Sequence, residues 1–169
     1  VEKAFCAGAN IKEFTSCTME TQMTNDVFED ITLVLGNYKK PIIAAVNGVA
    51  LGGGMELALA SDIIICSEDA RFGLPELRLG LIPGLGGTQR LTKIVGKVNA
   101  SRYIFTSDFI TAADAKVMGL VSDVYKKENL RTETINLANR IAAEKSLYTL
   151  VTAKTAIKAA EELGITQGI

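Results

Sequence analysis

The sequence predicts an α/β fold: a layered core of largely parallel strands over residues 1–125, then a helical C-terminal region over residues 126–169. Three observations carry this reading. Two short apolar runs rich in β-branched residues, Ile42–Val46 and Ile63–Cys66, have the length and composition of strands buried on both faces. A glycine-rich turn and a run of good helix formers, Met55–Ala60, separate them, the alternation of a crossover connection. Beyond Pro83 the apolar positions recur mostly at helical spacing.

Taken in order, Val1–Phe5 reads as the tail of a strand entering a small-residue turn at Ala7-Gly8-Ala9. Val27, Phe28, Ile31, Val34 and Leu35 lie at helical spacing within Ile11–Asn37, and Gly36-Asn37 closes that helix. Pro41 opens the first buried strand. Further helices are expected at Thr88–Val95, Val98–Phe105, Thr111–Met118, about Leu130–Glu144, and Leu147–Leu163. Thr111 and Asp114 have the spacing of an N-cap and its acidic partner, and Gly119 suits a left-handed stop. Leu120–Tyr125 is expected as a strand between two of these helices.

At 169 residues the chain suits one domain with room for a substantial core. Eighteen basic residues against nineteen acidic ones leave a net charge of −1, which provides no long-range field for nucleic acid or anionic lipid. With no histidine, Ser-His-Asp and Cys-His catalysis and imidazole metal ligation are excluded within the chain. Acid–base chemistry near neutral pH then falls to carboxylates, Lys, Tyr or Cys in shifted environments. Cys6, Cys17 and Cys66 form no C-x-x-C pair and fit a reduced, intracellular compartment. Asn47, a glycine run, Glu56 and Asp62 interrupt the most apolar stretch, so it is not a membrane span. No targeting segment opens the chain, which starts at Val1, and a piece of a longer polypeptide is expected.

Gly52-Gly53-Gly54 lies between a strand and a helix start. There, backbone N–H groups can approach a ligand with no Cβ in the way, as an oxyanion or phosphate cradle; a tight structural turn accounts equally for the glycines. Glu56 stands in the first turn of the following helix, where the helix dipole favours a carboxylate even without a function. Glu76 follows Pro75 in an apolar, Gly-rich segment and taken alone is an ordinary solvated glutamate. As a pair, two carboxylates at strand-end loops of one sheet form the arrangement that drives two pKa values apart. Gly84–Arg90 is a second glycine-rich turn whose N–H groups can hold a water or an anion, or simply start a helix. Lys3 and Lys12 flank the Ala7-Gly8-Ala9 turn and can meet phosphates or solvent. Cys6 and Cys66 read as core fillers.

Phe5–Phe14 (FCAGANIKEF), Ala45–Leu57 (AVNGVALGGGMEL) and Phe72–Leu91 (FGLPELRLGLIPGLGGTQRL) together resemble the crotonase superfamily, and most nearly its enoyl-CoA hydratases. The resemblance covers essentially the whole chain. It implies a crotonase-like (ClpP/crotonase) ββα-type layered core followed by C-terminal helices, lacking the family's N-terminal elements and its last helices. It also implies that Glu56 and Glu76 are the catalytic pair, that the Ala9 and Gly53 N–H groups form an oxyanion hole, and that Gly84 helps hold the water. Ala7, Lys3 and Lys12 would approach coenzyme A. The implied reaction is hydration of a 2-enoyl-CoA thioester, with no metal and no cofactor, since coenzyme A belongs to the substrate. An enoyl-CoA isomerase, or a non-enzymatic CoA- or RNA-binding relative, are the alternatives. Related isomerases commonly keep only the glutamate at the Glu76 position, so the pair favours hydration. Implied too are a homotrimer or dimer of trimers, no nucleic-acid or membrane partner, and a mitochondrial matrix location in a eukaryote or a cytoplasmic one in a bacterium. Asn10 stands where the family usually has Asp. With the N-terminal elements missing, the strand Pro41–Val46 is expected to expose apolar surface.

Overall fold

The computed structural model describes residues 4–10, 31 and 34–162. Its strands are β1 (Ala4–Cys6), β2 (Ile43–Val46), β3 (Val49–Leu51), β4 (Ile63–Ser67), β5 (Arg71–Gly73), β6 (Ile110–Thr111) and β7 (Asp123–Tyr125). Its helices are α1 (Gly53–Leu59), α2 (Gly87–Thr106), α3 (Ala112–Val117), α4 (Lys127–Glu144) and α5 (Leu147–Glu162), and a 3₁₀ turn spans Pro75–Leu79. Of the helix expected at Ile11–Asn37, residues 31 and 34–37 are helical and the rest lies outside the described residues.

The strands divide between two sheets rather than forming one. Among the described residues, β1-β3-β5-β6 make one sheet and β2-β4-β7 the other. The chain alternates between them: β2 and β4 pair in parallel in the second sheet, and β3 and β5, which follow them, pair in parallel in the first. Each step therefore places one strand in each sheet before a helical segment begins, which is the ββα-type layering. β6 closes the first sheet antiparallel to β5. The two-residue link Asn47-Gly48 and the Glu68–Ala70 turn are too short for anything but a sharp change of direction between layers.

The core lies between the layers, with Met55, Phe72, Leu91, Ile110 and Val46 wholly enclosed. Each such side chain contributes roughly 1.5–3 kcal/mol of apolar burial. The buried Ser67 hydroxyl is satisfied by the Asp69 carboxylate at 2.6 Å and faces the Val46 carbonyl at 3.4 Å. Asp69 also accepts from Lys127 Nζ at 2.6 Å, tying the start of α4 to the turn between the sheets. This ion pair holds the Asp69 carboxyl below the ordinary carboxylate range.

Several local expectations meet their elements directly. The two helices expected at Thr88–Val95 and Val98–Phe105 are the halves of α2, broken at Gly96 (φ 77°, ψ 157°). The Thr111 hydroxyl caps α3 by accepting from Asp114 N–H at 3.1 Å, and Gly119 is left-handed. The strand Pro41–Val46 is less exposed than expected. Ala44 and Val46 point into the core between the layers, while α4 packs across β2, β4 and β7 on the opposite face, beside Ile43. Where β2 meets α4 and α5, a cavity of about 280 Å³ is lined by Pro41, Ile43, Ala138, Ile141, Leu147 and Leu150, well away from the glycine-rich loops. No described helix is long and apolar enough to cross a membrane.

Gly54 is where α1 meets β1, and a Cβ there would overlap the Cys6 carbonyl oxygen and come within 2.6 Å of its carbon. Gly54→Ala is expected to cost at least about 3 kcal/mol in urea unfolding. Gly96→Ala meets open space, but φ 77° and ψ 157° lie in a region that is essentially glycine-only, so it should cost about 1–3 kcal/mol.

Candidate active site

The site begins with strand register. β3 and β5 are parallel neighbours with Leu51 opposite Gly73, so the segments that follow them start side by side at one sheet edge. The Gly52 N–H extends the ladder by donating to the Gly73 carbonyl at 2.9 Å. Gly52 then turns the chain into α1 with φ 54° and ψ −129°, a conformation that L side chains avoid. A Cβ on Gly52 would also stand 3.0 Å from Glu76 Oε1. Glu56 and Glu76 are thus delivered to the same place by two adjacent strands.

Glu56, only 3 % exposed, is the acidic residue of the first turn of α1. Its Oε1 accepts two backbone hydrogen bonds, from the N–H groups of Leu85 and Gly87, both at 2.7 Å. Charge-assisted bonds of this kind fix a carboxylate in direction as well as place. The turn that supplies them must be close: a Cβ on Gly87 would lie 2.9 Å from Glu56 Oε1 and 3.0 Å from Pro83 Cβ. Glu56 also faces a small cavity with Leu35, Leu57, Ala60, Leu85 and Arg90.

Glu76 is held differently. It is half-buried in the 3₁₀ turn, and its Oε2 is enclosed without a hydrogen-bond partner. Burial pushes its pKa above the ordinary glutamate value, and the nearby charge of Glu56 adds to the rise, while its own backbone N–H opposes it. The two carboxyls sit in contrasting settings, one anchored by two N–H groups of a distant turn and one with only its own backbone N–H and a bare buried oxygen.

Opposite them lies the Ala7-Gly8-Ala9 turn. Gly8 (φ 91°) packs against the end of β3, where a Cβ would stand 2.9 Å from the Leu51 carbonyl and 3.4 Å from Gly53 N. Ala7 and Ala9 are exposed. Gly53 opens α1, so its N–H has no partner within the helix. Gly84 is exposed in open space, and its neighbours Leu85 and Gly87, not Gly84, donate to Glu56. Lys3 and Lys12 lie outside the described residues. Cys66 is buried, which pushes its thiol up to about 11, with the Asp69 charge adding to the rise. No cluster of metal-ligating side chains occurs among the described residues.

Sequence reasoning marked the turn Gly84–Arg90 as able to hold an anion but did not identify Glu56 as that anion. Leu85, Gly87 and Arg90 were consequently missed as parts of the site. The signal was present in the glycines at 84, 86 and 87, but a turn's partner thirty residues away is a tertiary fact.

Comparison with known proteins finds relatives over nearly the whole chain. The enoyl-CoA hydratase/isomerase family matches residues 1–168. The chain belongs to the enoyl-CoA hydratase/isomerase family. Among relatives, a probable mitochondrial enoyl-CoA hydratase of Dictyostelium discoideum is 48% identical over 99% of this chain and 60% of its own length. The 2,3-dehydroadipyl-CoA hydratase of Escherichia coli is 41% identical over 98% of this chain and 64% of its own. The crystal structure of an enoyl-CoA hydratase from Bacillus anthracis superposes with a TM-score of 0.91 at 39% identity, over 99% of this chain and 65% of that one. The chain therefore spans about three fifths of the length of its hydratase/isomerase relatives. Its mixed sheets and helices are the crotonase-like fold.

Because the folded state raises the Glu76 pKa, this carboxyl favours folding below its unfolded value, near 4.3, and loses that contribution as pH rises through the folded value. Glu76→Gln is therefore expected to raise Tm at pH 7–8, by up to roughly 2–4 °C, with the gain shrinking towards pH 4 in thermal scans. Gly87→Ala should displace the Glu56 carboxylate, visible as altered amide shifts at Leu85 and residue 87 in ¹⁵N spectra.

Proposed function

We propose that the protein is an enoyl-CoA hydratase, adding water across the 2,3 double bond of a 2-enoyl-CoA thioester to give a 3-hydroxyacyl-CoA. The observation that carries this reading is the pair of carboxyls brought to one sheet edge in contrasting settings. Glu56 Oε1 is taken by two N–H groups, which leaves Oε2 to orient a water and accept its proton. The hydroxyl oxygen bonds to C3, and the π electrons move towards the thioester carbonyl. The Ala9 and Gly53 N–H groups hold the resulting enolate oxygen, at roughly 2.7–4 kcal/mol per donor in sites of this type.

Glu76, whose raised pKa suits a proton donor, delivers its proton to C2. One water has then been added: its proton rests on Glu56 and the Glu76 proton is bound to C2, so Glu56 must lose a proton and Glu76 regain one through solvent before the next turnover. The Gly84 N–H assists in holding the water. The coenzyme A portion lies along exposed Ala7 and near Lys3 and Lys12, and no further cofactor takes part.

The family's description also spans isomerases, which move the double bond without adding a hydroxyl. The glutamate at Glu56 in addition to that at Glu76 favours hydration. The functional assembly is a homotrimer or dimer of trimers, which the exposed Ile82, Val98 and Phe105 support. The mitochondrial hydratases among the relatives support a matrix location in a eukaryote, and the bacterial ones a cytoplasmic location in a bacterium.

Incubation with crotonyl-CoA should bleach the conjugated enoyl-thioester absorbance and yield the 3-hydroxy product. Glu56→Gln and Glu76→Gln should each slow this by about 10²–10⁴-fold. Undiminished turnover in the double variant, or a product without a hydroxyl, would overturn the assignment.

A further inference from the structure

The Glu56 anchor depends on a residue that touches neither water nor substrate in the mechanism above. Leu85 directs its N–H at Glu56 and its carbonyl at Arg90, whose guanidinium donates to it at 2.6 Å. The same guanidinium lies across Gly86, where a Cβ would come within 2.7 Å of an Arg90 terminal nitrogen. Gly86 is left-handed (φ 90°) and is the N-cap of α2, with no side chain capping the helix. In addition, Gln89 and Arg90 N–H groups donate to the Gly86 carbonyl at 3.1 and 2.9 Å. The turn is thus gripped from its outer side by Arg90 and from its inner side by Glu56. Both side chains border the same small cavity.

We propose that Arg90 is a positioning residue for Glu56, acting through the Leu85–Gly87 turn. A guanidinium suits this task. Its planar fork reaches the Leu85 carbonyl and presses one terminal nitrogen against Gly86, which the compact ammonium of lysine does only in part. Fixing the Leu85 carbonyl fixes the Leu85–Gly86 peptide plane, and the next plane, which carries the Gly87 N–H, is held by the Gln89 and Arg90 N–H groups on the Gly86 carbonyl. Leu85 is meanwhile kept from rotating its own N–H away from the carboxylate. The inference rests on Glu56 being the group that handles the water, and its test therefore carries a readout independent of turnover.

The full chain is compared with Arg90→Gln and Arg90→Lys. Expected in Arg90→Gln is accelerated hydrogen exchange at the Leu85 and Gly87 amides, by about tenfold or more, with the β4 amides of Ile64 and Cys66 unchanged. Hydration of crotonyl-CoA should lose on the order of ten- to a hundredfold in kcat with little change in KM, as expected for a misdirected catalytic group. Arg90→Lys should recover part of both losses. Unchanged exchange at Leu85 and Gly87, or altered exchange with undiminished kcat, would overturn the proposal while leaving hydration intact. A chain inactive towards crotonyl-CoA whose Leu85 and Gly87 amides still respond to Arg90→Gln would retain the positioning role and overturn the assigned reaction.

Discussion

The pairing of β3 with β5 is the constraint from which the site follows. Parallel neighbours end at the same edge of a sheet, about 4.8 Å apart, so whatever follows each is forced into its neighbour's company. Leu51 opposite Gly73, extended by the Gly52–Gly73 hydrogen bond, sets that edge. A slip of one residue would turn the side chains of either strand to the opposite face. The second sheet serves this pairing indirectly. β2 and β4 pair in the same order behind the first sheet, so the two crossings between layers stay in step.

With position settled by register, the contrast between the carboxyls comes from what surrounds each. Glu56 sits opposite a turn rich in glycine, where N–H groups can crowd onto one oxygen because nothing projects between them. Glu76 emerges from a 3₁₀ turn that begins at Pro75, which has no N–H to offer. Chemically identical side chains are thereby given different surroundings, main-chain donors at Glu56 and burial with a bare oxygen at Glu76. Ala9 and Gly53 present backbone donors too, so most of the polar groups assigned to the reaction are main-chain atoms that leave no side-chain signature.

Much of the architecture was legible in the sequence, and the reasons are local. Ile42–Val46 and Ile63–Cys66 advertise strands by β-branching; Thr111 with Asp114 marks a cap; the two helical patterns at Thr88–Val95 and Val98–Phe105 are the two halves that break at Gly96. The short strands β3, β5 and β6 escaped because two or three residues carry no periodicity. Their assignment to two sheets escaped for a related reason, since the alternation between layers depends on corners at Asn47-Gly48 and Glu68–Ala70 that any turn could resemble. Glu56 and Glu76 could be singled out from the sequence. The grip of Leu85 and Gly87 on Glu56 could not, because it joins segments far apart in the chain.

The glycines around the site differ in what a methyl group would strike, and this shapes how the protein can vary. At Gly8 and Gly54 the nearest obstacles include main-chain atoms of Leu51 and Cys6; at Gly52, Gly73, Gly86 and Gly87 the obstacles are the side chains of Glu76, Phe109, Arg90 and Glu56. A side chain can be trimmed by a second mutation, whereas a carbonyl cannot. Divergence among descendants of this fold is therefore open, through a paired change, at Gly73 beside Phe109, whereas the positive φ of Gly86 holds that position whatever becomes of Arg90. It is closed at Gly8 and Gly54, where the strand and the helix behind the reacting groups remain frozen whatever chemistry evolves in front of them.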